Sequence, residues 1–246
     1  MRILAIVLLV FTTLLLCNCE RSEVAETSDK GYDFFPLALG GEWIYEVDSI
    51  IYDPTNRGVV VDTNQILLRE SIVNNYIDGE GQRVFVIERA KRIDESLPWR
   101  ITDVWTTYQT PSQAVRIEEN LAFVKLLFPL QARQDWNANL NIPSDFKISV
   151  KGETIDIFKN WTSELLTTDT TALVGSKMYE QVAMVALANS ENLIEYRWGQ
   201  EWYAKGIGLI YKELRVLDTQ KIDPNELWEQ KAEKGFIVKQ RLLSYQ

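Results

Sequence analysis

Histidine is absent from the 246 residues, and the only two cysteines, Cys17 and Cys19, stand two apart near the start. Without histidine there is no Ser-His-Asp or Cys-His catalysis, no His-ligated zinc or iron, and no imidazole switch near neutral pH. With both cysteines in the leading segment, residues 20–246 can form neither a disulfide nor a Cys-ligated metal site. Positive charge is also scarce. Lys and Arg total 26 against 35 Asp and Glu, a formal net charge of −9, with no basic cluster. That balance excludes nucleic acid as a partner and argues against charge-driven binding to anionic headgroups.

What is there begins with an export signal. Met1-Arg2 is a minimal basic start, and Ile3 to Leu16 is apolar except for Thr12 and Thr13. The run falls short of the ~20 apolar residues of a spanning helix but suits a secretory signal. It ends at Cys17-Asn18-Cys19 and turns polar at once with Glu20-Arg21-Ser22-Glu23. An apolar stretch ending at a cysteine looks like a bacterial lipoprotein signal, in which the cysteine is acylated and becomes the mature N-terminus. Cys19 as acceptor puts Leu16 in the usual leucine position but leaves Asn18 where a small residue is typical. Cys17 keeps Leu14 in place but sets bulky Leu16 before the acceptor. The expectation is lipidation at Cys19, with Cys17 as the alternative, and residues 1–18 removed.

Residues 19–33 are polar and charged, and read as a flexible tether. The β domain is expected over 34–246. Trp43, Tyr45 and Val47 alternate with Glu42, Glu46 and Asp48, the period of two of a half-buried strand. Further strand signals cover Val59–Val73, Val84–Ile93, Trp99–Tyr108, Ala114–Ile117 and Ala122–Phe128. Beyond these come Phe146–Val150, Glu164–Thr171, Met178–Leu187, Leu193–Trp198, Gly208–Leu217 and Phe236–Tyr245. Turn clusters at 53–58 and 77–82 separate the early ones. This spacing predicts an antiparallel sandwich or barrel. One short helix is expected late, capped by Asp223, with Pro224 in its first turn and Gly235 as its stop.

The chain says one thing twice. Phe35-Pro36-Leu37 precedes Trp43 as Phe128-Pro129-Leu130 precedes Trp136, at identical spacing. Each proline biases the residue before it toward extended structure, so both copies lead into strands. The echo allows two similar β-halves, 34–126 and 127–246. Gly40-Gly41 of the first copy become Arg133-Gln134 in the second, so the backbones should differ wherever those glycines adopt positive φ.

With FPL-x5-WNANLN and the late run Trp202-Tyr203-Ala204-Lys205-Gly206-Ile207-Gly208-Leu209-Ile210-Tyr211, this pattern resembles a group of uncharacterised Gram-negative lipoproteins over roughly 34–246. Arg133 departs from the glycine usual in the second copy. The resemblance implies an exported, lipid-anchored protein with a curved antiparallel sheet, distantly like lipoprotein-carrier half-barrels. It brings no catalytic residues.

Eight tryptophans are present, most of them expected in the core. Aromatic and polar residues lie densest at 197–203, which makes Trp198, Trp202 and Tyr203 the candidate ligand contacts. Asp48, Asp53, Glu88 and Asp103 are available as a carboxylate pair for glycan hydrolysis, but among 35 acidic residues accidental pairs are inevitable. The acidic turns at 53–56 and 78–81 lack the spaced ligands of a calcium loop. No catalytic residue, metal or cofactor is expected. The sequence leads to a mainly β protein with a short C-terminal helix, held at the outer membrane of the cell envelope by acyl chains. Its expected role is a non-catalytic binding or scaffold module for an envelope protein. The alternative is a carrier of an apolar or glycan ligand in a Trp-lined β cavity, and third comes a carboxylate-dependent glycan hydrolase.

Overall fold

The computed structural model describes residues 29–143, 145–158 and 161–246. Cys17, Cys19 and the export signal lie outside the described residues. No helix among those described is long and apolar enough to cross a membrane.

The first six strands are β1 (Glu42–Thr55), β2 (Gly58–Ile77), β3 (Arg83–Arg92), β4 (Arg100–Gln109), β5 (Gln113–Glu118) and β6 (Leu121–Leu127). The rest are β7 (Gln134–Trp136), β8 (Lys147–Val150), β9 (Glu153–Asp156), β10 (Ser163–Val174), β11 (Lys177–Glu191), β12 (Glu195–Ala204), β13 (Gly208–Asp218) and β14 (Lys234–Tyr245). Twelve strands form one sheet in the order β6-β5-β4-β3-β2-β1-β14-β13-β12-β11-β10-β7, and β8-β9 is a separate hairpin. The fold is therefore mainly β, one large curved antiparallel sheet not closed into a barrel, with one short helix near its end.

The curvature follows from chain length. β6 and β7 stand at opposite edges of the sheet, yet Leu127 and Gln134 are only seven residues apart and span at most about 25 Å. Laid flat, the sheet would separate those edges by about 50 Å, at about 4.8 Å per strand. It has to curl. The edges meet without pairing: Val124 N–H donates to the Ala138 carbonyl at 3.0 Å, and Trp136 Nε1 donates to the Val124 carbonyl at 2.8 Å. Ten residue pairs, by contrast, join β1 to β14 in mid-sheet. One seam is zipped and the other is nearly open. A shift of six places along the sheet carries β1 onto β7 and β6 onto β14 with strand direction kept.

The main core fills the curl. Leu126, Val185, Val216 and Ile155 are fully or almost fully buried within it, and the 137–162 excursion contributes Ile157 and Trp161. The packed chain starts slightly ahead of Phe34, with a 3-10 turn at Tyr32–Phe34. There the segment just ahead of the first FPL copy touches the second copy. Tyr32 meets Phe128 edge to face at 4.8 Å, and Leu130 N–H donates to the Lys30 carbonyl at 3.2 Å.

The helix differs from its expected form. α1 is only Trp228–Lys231, with Leu227 at its N-cap. Asp223 instead closes a turn, its Oδ1 accepting from Asn225 N–H at 2.8 Å, so Pro224 lies outside the helix. Gly235 lies in β14, paired with Tyr52 and Leu217, and does not stop the helix. Trp228 stacks on Tyr196 at 5.4 Å and packs with Tyr52, Leu217 and Ile237. The helix thus covers mid-sheet strands near one of their ends, where Tyr52, Tyr196, Leu217 and Ile237 lie.

Candidate functional site

Charged groups are collected inside the curl. On β2, Glu70 accepts from Arg89 Nε of β3 and from an Arg116 NH2 nitrogen of β5, both at 2.9 Å. On β6, Lys125 reaches Glu118 of β5 at 3.0 Å and Glu201 of β12 at 3.1 Å. Lys212 of β13 lies 3.3 Å from Glu201, and the Tyr203 hydroxyl donates to Glu201 at 2.6 Å. Glu70 and Glu201 are 2% and 1% exposed. The alternation of each strand places these residues inward, so strands from both meanders share one buried network.

Burial raises the Glu201 carboxyl, but Lys125 and Lys212 outweigh it and hold it at about 2. Burial acts the same way on Glu118 and Glu70, and Lys125 and Arg116 respectively lead the groups that push them below the usual carboxylate range. Burial lowers Lys125, yet Glu118 and Glu201 bring it above the ordinary lysine value. Tyr45 and Tyr203 are pushed well up, chiefly by burial. All the carboxylates here are ionised at neutral pH, and none holds a proton to give.

Two cavities border the network. The first, about 40 Å³ between Tyr45, Glu70, Arg116 and Tyr203, has room for little more than water. The second is about 210 Å³ and lies directly behind the open seam. Val124 of β6 and Ala138 after β7, the pair that bridges the seam, both line it. Phe123, Phe158, Leu187 and Leu214 supply apolar walls, with Lys125, Lys212 and Glu118 on its charged side. Phe158 meets Phe123 at 5.4 Å and Trp161 at 5.2 Å, both edge to face. Asn139 and Trp161 also line it, and the Nδ2 and Nε1 nitrogens of these two residues are buried with no hydrogen-bond partner among the described residues. Clefts of about 350 to 480 Å³ elsewhere lie open to solvent.

The candidates read from sequence do not assemble into one mouth. Along β12, Arg197, Gly199, Glu201 and Tyr203 are buried while Trp198, Gln200 and Trp202 are half-buried on the alternate positions. Tyr203 enters the interior network. Trp202 packs on Tyr211 at 4.5 Å, and Arg215 lies 5.4 Å over Trp198. Nor are Asp48, Glu88 and Asp103 free: they pair with Arg241, Arg69 and Arg89 respectively. The turn at Asp78 is closed by its own backbone, its Oδ1 accepting from the N–H groups of Glu80 and Gln82. No cluster of three His, Cys, Asp or Glu residues suited to a metal occurs among the described residues.

Sequence reading passed over Lys125, Glu118, Lys212, Asn139 and Trp161. One signal was there to read. Lys125 is the lone charge in the apolar run Leu121–Leu130, where a lysine inside a strand needs a buried partner.

No protein-family model matches the chain, and no curated protein is similar to it. Among solved structures, one similar chain is provisionally described as a lipoprotein, from Parabacteroides distasonis. It has 10% sequence identity and a TM-score of 0.37, covering 87% of this chain and 98% of that one. Another, provisionally described as an exported protein with a YmcC-like fold, comes from Bacteroides fragilis. It has 10% identity and a TM-score of 0.36 at the same coverage. Scores below 0.5 fall short of a shared fold. Fold and function rest on the chain's own residues.

Proposed function

We propose that the protein is a non-catalytic binding module of the cell envelope, anchored to the outer membrane by acyl chains on Cys19, that holds a small apolar ligand behind the β6/β7 seam. The observation that carries this reading is the 210 Å³ cavity itself, with apolar walls and a charged side, set behind the seam that strand pairing leaves open. Ligand sites are mostly apolar concavities with a few convergent polar groups. The anchor rests on the apolar run ending at Cys17-Asn18-Cys19, and two acyl chains suffice for stable attachment. Either leaflet face of the outer membrane fits. The absence of histidine and of cysteine after Cys19, with the interior carboxylates all paired to cations, supports binding over conversion.

Native mass spectrometry on protein released from the envelope without denaturation tests this. A reproducible extra mass that falls away in Phe123→Ala or Leu187→Ala is the expected result. A clean mass, unchanged on adding apolar small molecules, overturns the ligand reading.

A second reading has its own observation. Ile101 and Val104 of β4 are 60% and 63% exposed, so this strand offers an apolar surface to an envelope protein. Cross-linking in intact cells through position 104 would then capture one dominant partner.

A further inference from the structure

The first described residues are fixed at one end of the curl. Asp29 and Asp33 both pair with Lys205 in the turn between β12 and β13, and Gly206 N–H donates to the Asp33 carbonyl at 2.8 Å. The Tyr32 hydroxyl donates to the Pro111 carbonyl, between β4 and β5, at 3.1 Å. The turn between β2 and β3 lies at the same end, since Tyr32 and Pro36 line one cleft with Gln82 and Arg83.

That end is apolar where it meets solvent. Leu39 and Ile77 are 57% and 56% exposed, and Tyr32 and Tyr76 are exposed as well. Leu39 is held against β2 by Gly40, whose N–H donates to the Ile72 carbonyl at 2.9 Å. Charge nearly cancels around them: Asp29, Asp33, Asp78 and Glu80 stand against Lys30, Arg83 and Lys205. Such a surface suits a lipid interface, where tyrosines sit at headgroup level and aliphatic side chains reach the acyl boundary.

The reach of the anchor selects this end over the other. Ten residues lead from Cys19 to Asp29 and span at most about 36 Å. Ile93 and Ile222 are exposed at the far end, where Thr55 borders Gln220. From Glu42 to that end β1 alone runs about 43 Å. The FPL end is the one that a chain held at Cys19 brings to the bilayer.

We infer that the protein rests on the membrane holding its anchor through this end, with Leu39 and Ile77 in the lipid interface and Tyr32 and Tyr76 at headgroup level. This rests on the acyl anchor of the reading above and is independent of the cavity. The partner is the bilayer itself. With so little net charge at the contact, salt should not loosen it.

The test uses the acylated chain in phosphatidylcholine vesicles that contain nitroxide-labelled phosphatidylcholine. Leu39→Cys, Ile77→Cys and Ile222→Cys each carry a polarity-sensitive dye, and the unsubstituted chain gives the background from the native cysteines. Dye emission at 39 and 77 is expected to shift to the blue and be quenched, in low and high salt alike, while position 222 stays wet. The two near positions are separate variants, so either carries the test if the other fails to fold. Labels at 39 and 77 as wet as that at 222 overturn the docking, and quenching at 222 overturns the orientation. Quenching lost in high salt overturns the apolar contact in favour of a charged one. A chain that carries no acyl mass and does not float with the vesicles removes the anchor, and this inference with it.

Discussion

Arg133 occupies the place in the second FPL copy that Gly40 occupies in the first, and both backbones are left-handed there, with φ of 65° and 82°. Sequence reasoning expected the copies to part at this point, since glycine tolerates that conformation and arginine does not. They do not part. The likeness continues three residues on, where Trp43 Nε1 donates to the Ile207 carbonyl at 2.7 Å and Trp136 Nε1 to the Val124 carbonyl at 2.8 Å. The copies do differ at the Phe-Pro bond, cis in the second. Turn geometry has been kept at a position where the side chain opposes it, and the Arg133 side chain is exposed.

Arg133→Gly should therefore stabilise the fold. A left-handed non-glycine residue costs roughly 1–2 kcal/mol, partly offset by the greater unfolded-state freedom of glycine, for a net gain of about 0.5–1 kcal/mol. A rise in the urea midpoint with unchanged slope would show it; an unchanged or lower midpoint would mean Arg133 makes compensating contacts.

Acid should unfold the protein progressively. Glu70, Glu118 and Glu201 are all held below their ordinary value of 4.5 in the fold, Glu201 at about 2. Below pH 4.5 the unfolded chain binds more protons than the folded one. The stability these groups lend is full above that pH and is lost as pH falls toward 2. Thermal unfolding between pH 7 and pH 2 should show a melting temperature falling steeply below about pH 4.5.

Lys125→Met removes the cation between Glu118 and Glu201. Two buried carboxylates then lose their main partner, at a cost of about 3–5 kcal/mol at pH 7. Because those carboxylates would take up protons more readily, the deficit relative to the native protein should shrink at pH 5. Paired denaturation curves at the two pH values check this, and an equal deficit at both would mean packing rather than charge is lost.

Gly235→Ala should disrupt the β13–β14 join. Gly235 has φ of 121°, and a Cβ there would overlap the Val216 carbonyl. Strain of this kind costs about 1–3 kcal/mol before the clash is counted. Faster amide exchange at Leu217 and Phe236, relative to distant Leu68, would locate the damage.

Much of the sheet was legible in the chain because its strands are long and alternate. β3, β4, β5, β6 and β13 lie within a residue or two of their expected ends, while β1 runs on to Thr55, into the stretch expected as a turn. β7 and β9 were missed because three or four residues carry no readable period, and β12 was cut short where Gly199 interrupts the pattern. The late helix was misplaced because Asp223 and Pro224 serve a turn equally well. Nothing local announces that β1 pairs with β14 across most of the chain, and so the seam was invisible. The interior network was hidden for a different reason: in a chain with 35 acidic residues, only the fold says which ones turn inward to meet Lys125 and Arg116. Trp198 and Trp202 share one face of β12 and Tyr203 takes the other, because neighbours in a strand face opposite ways, so density along the strand did not bring the three together.

A closed barrel has its bore set by strand number and shear. Here eleven pairings are made and a twelfth is reduced to one main-chain bond and one indole, so that constraint is absent. A rotation of a few degrees at each pairing, well inside the ordinary spread of sheet twist, would add up to a visible change in diameter. The molecule is in effect a split ring, whose width is free of the limit that closure would set.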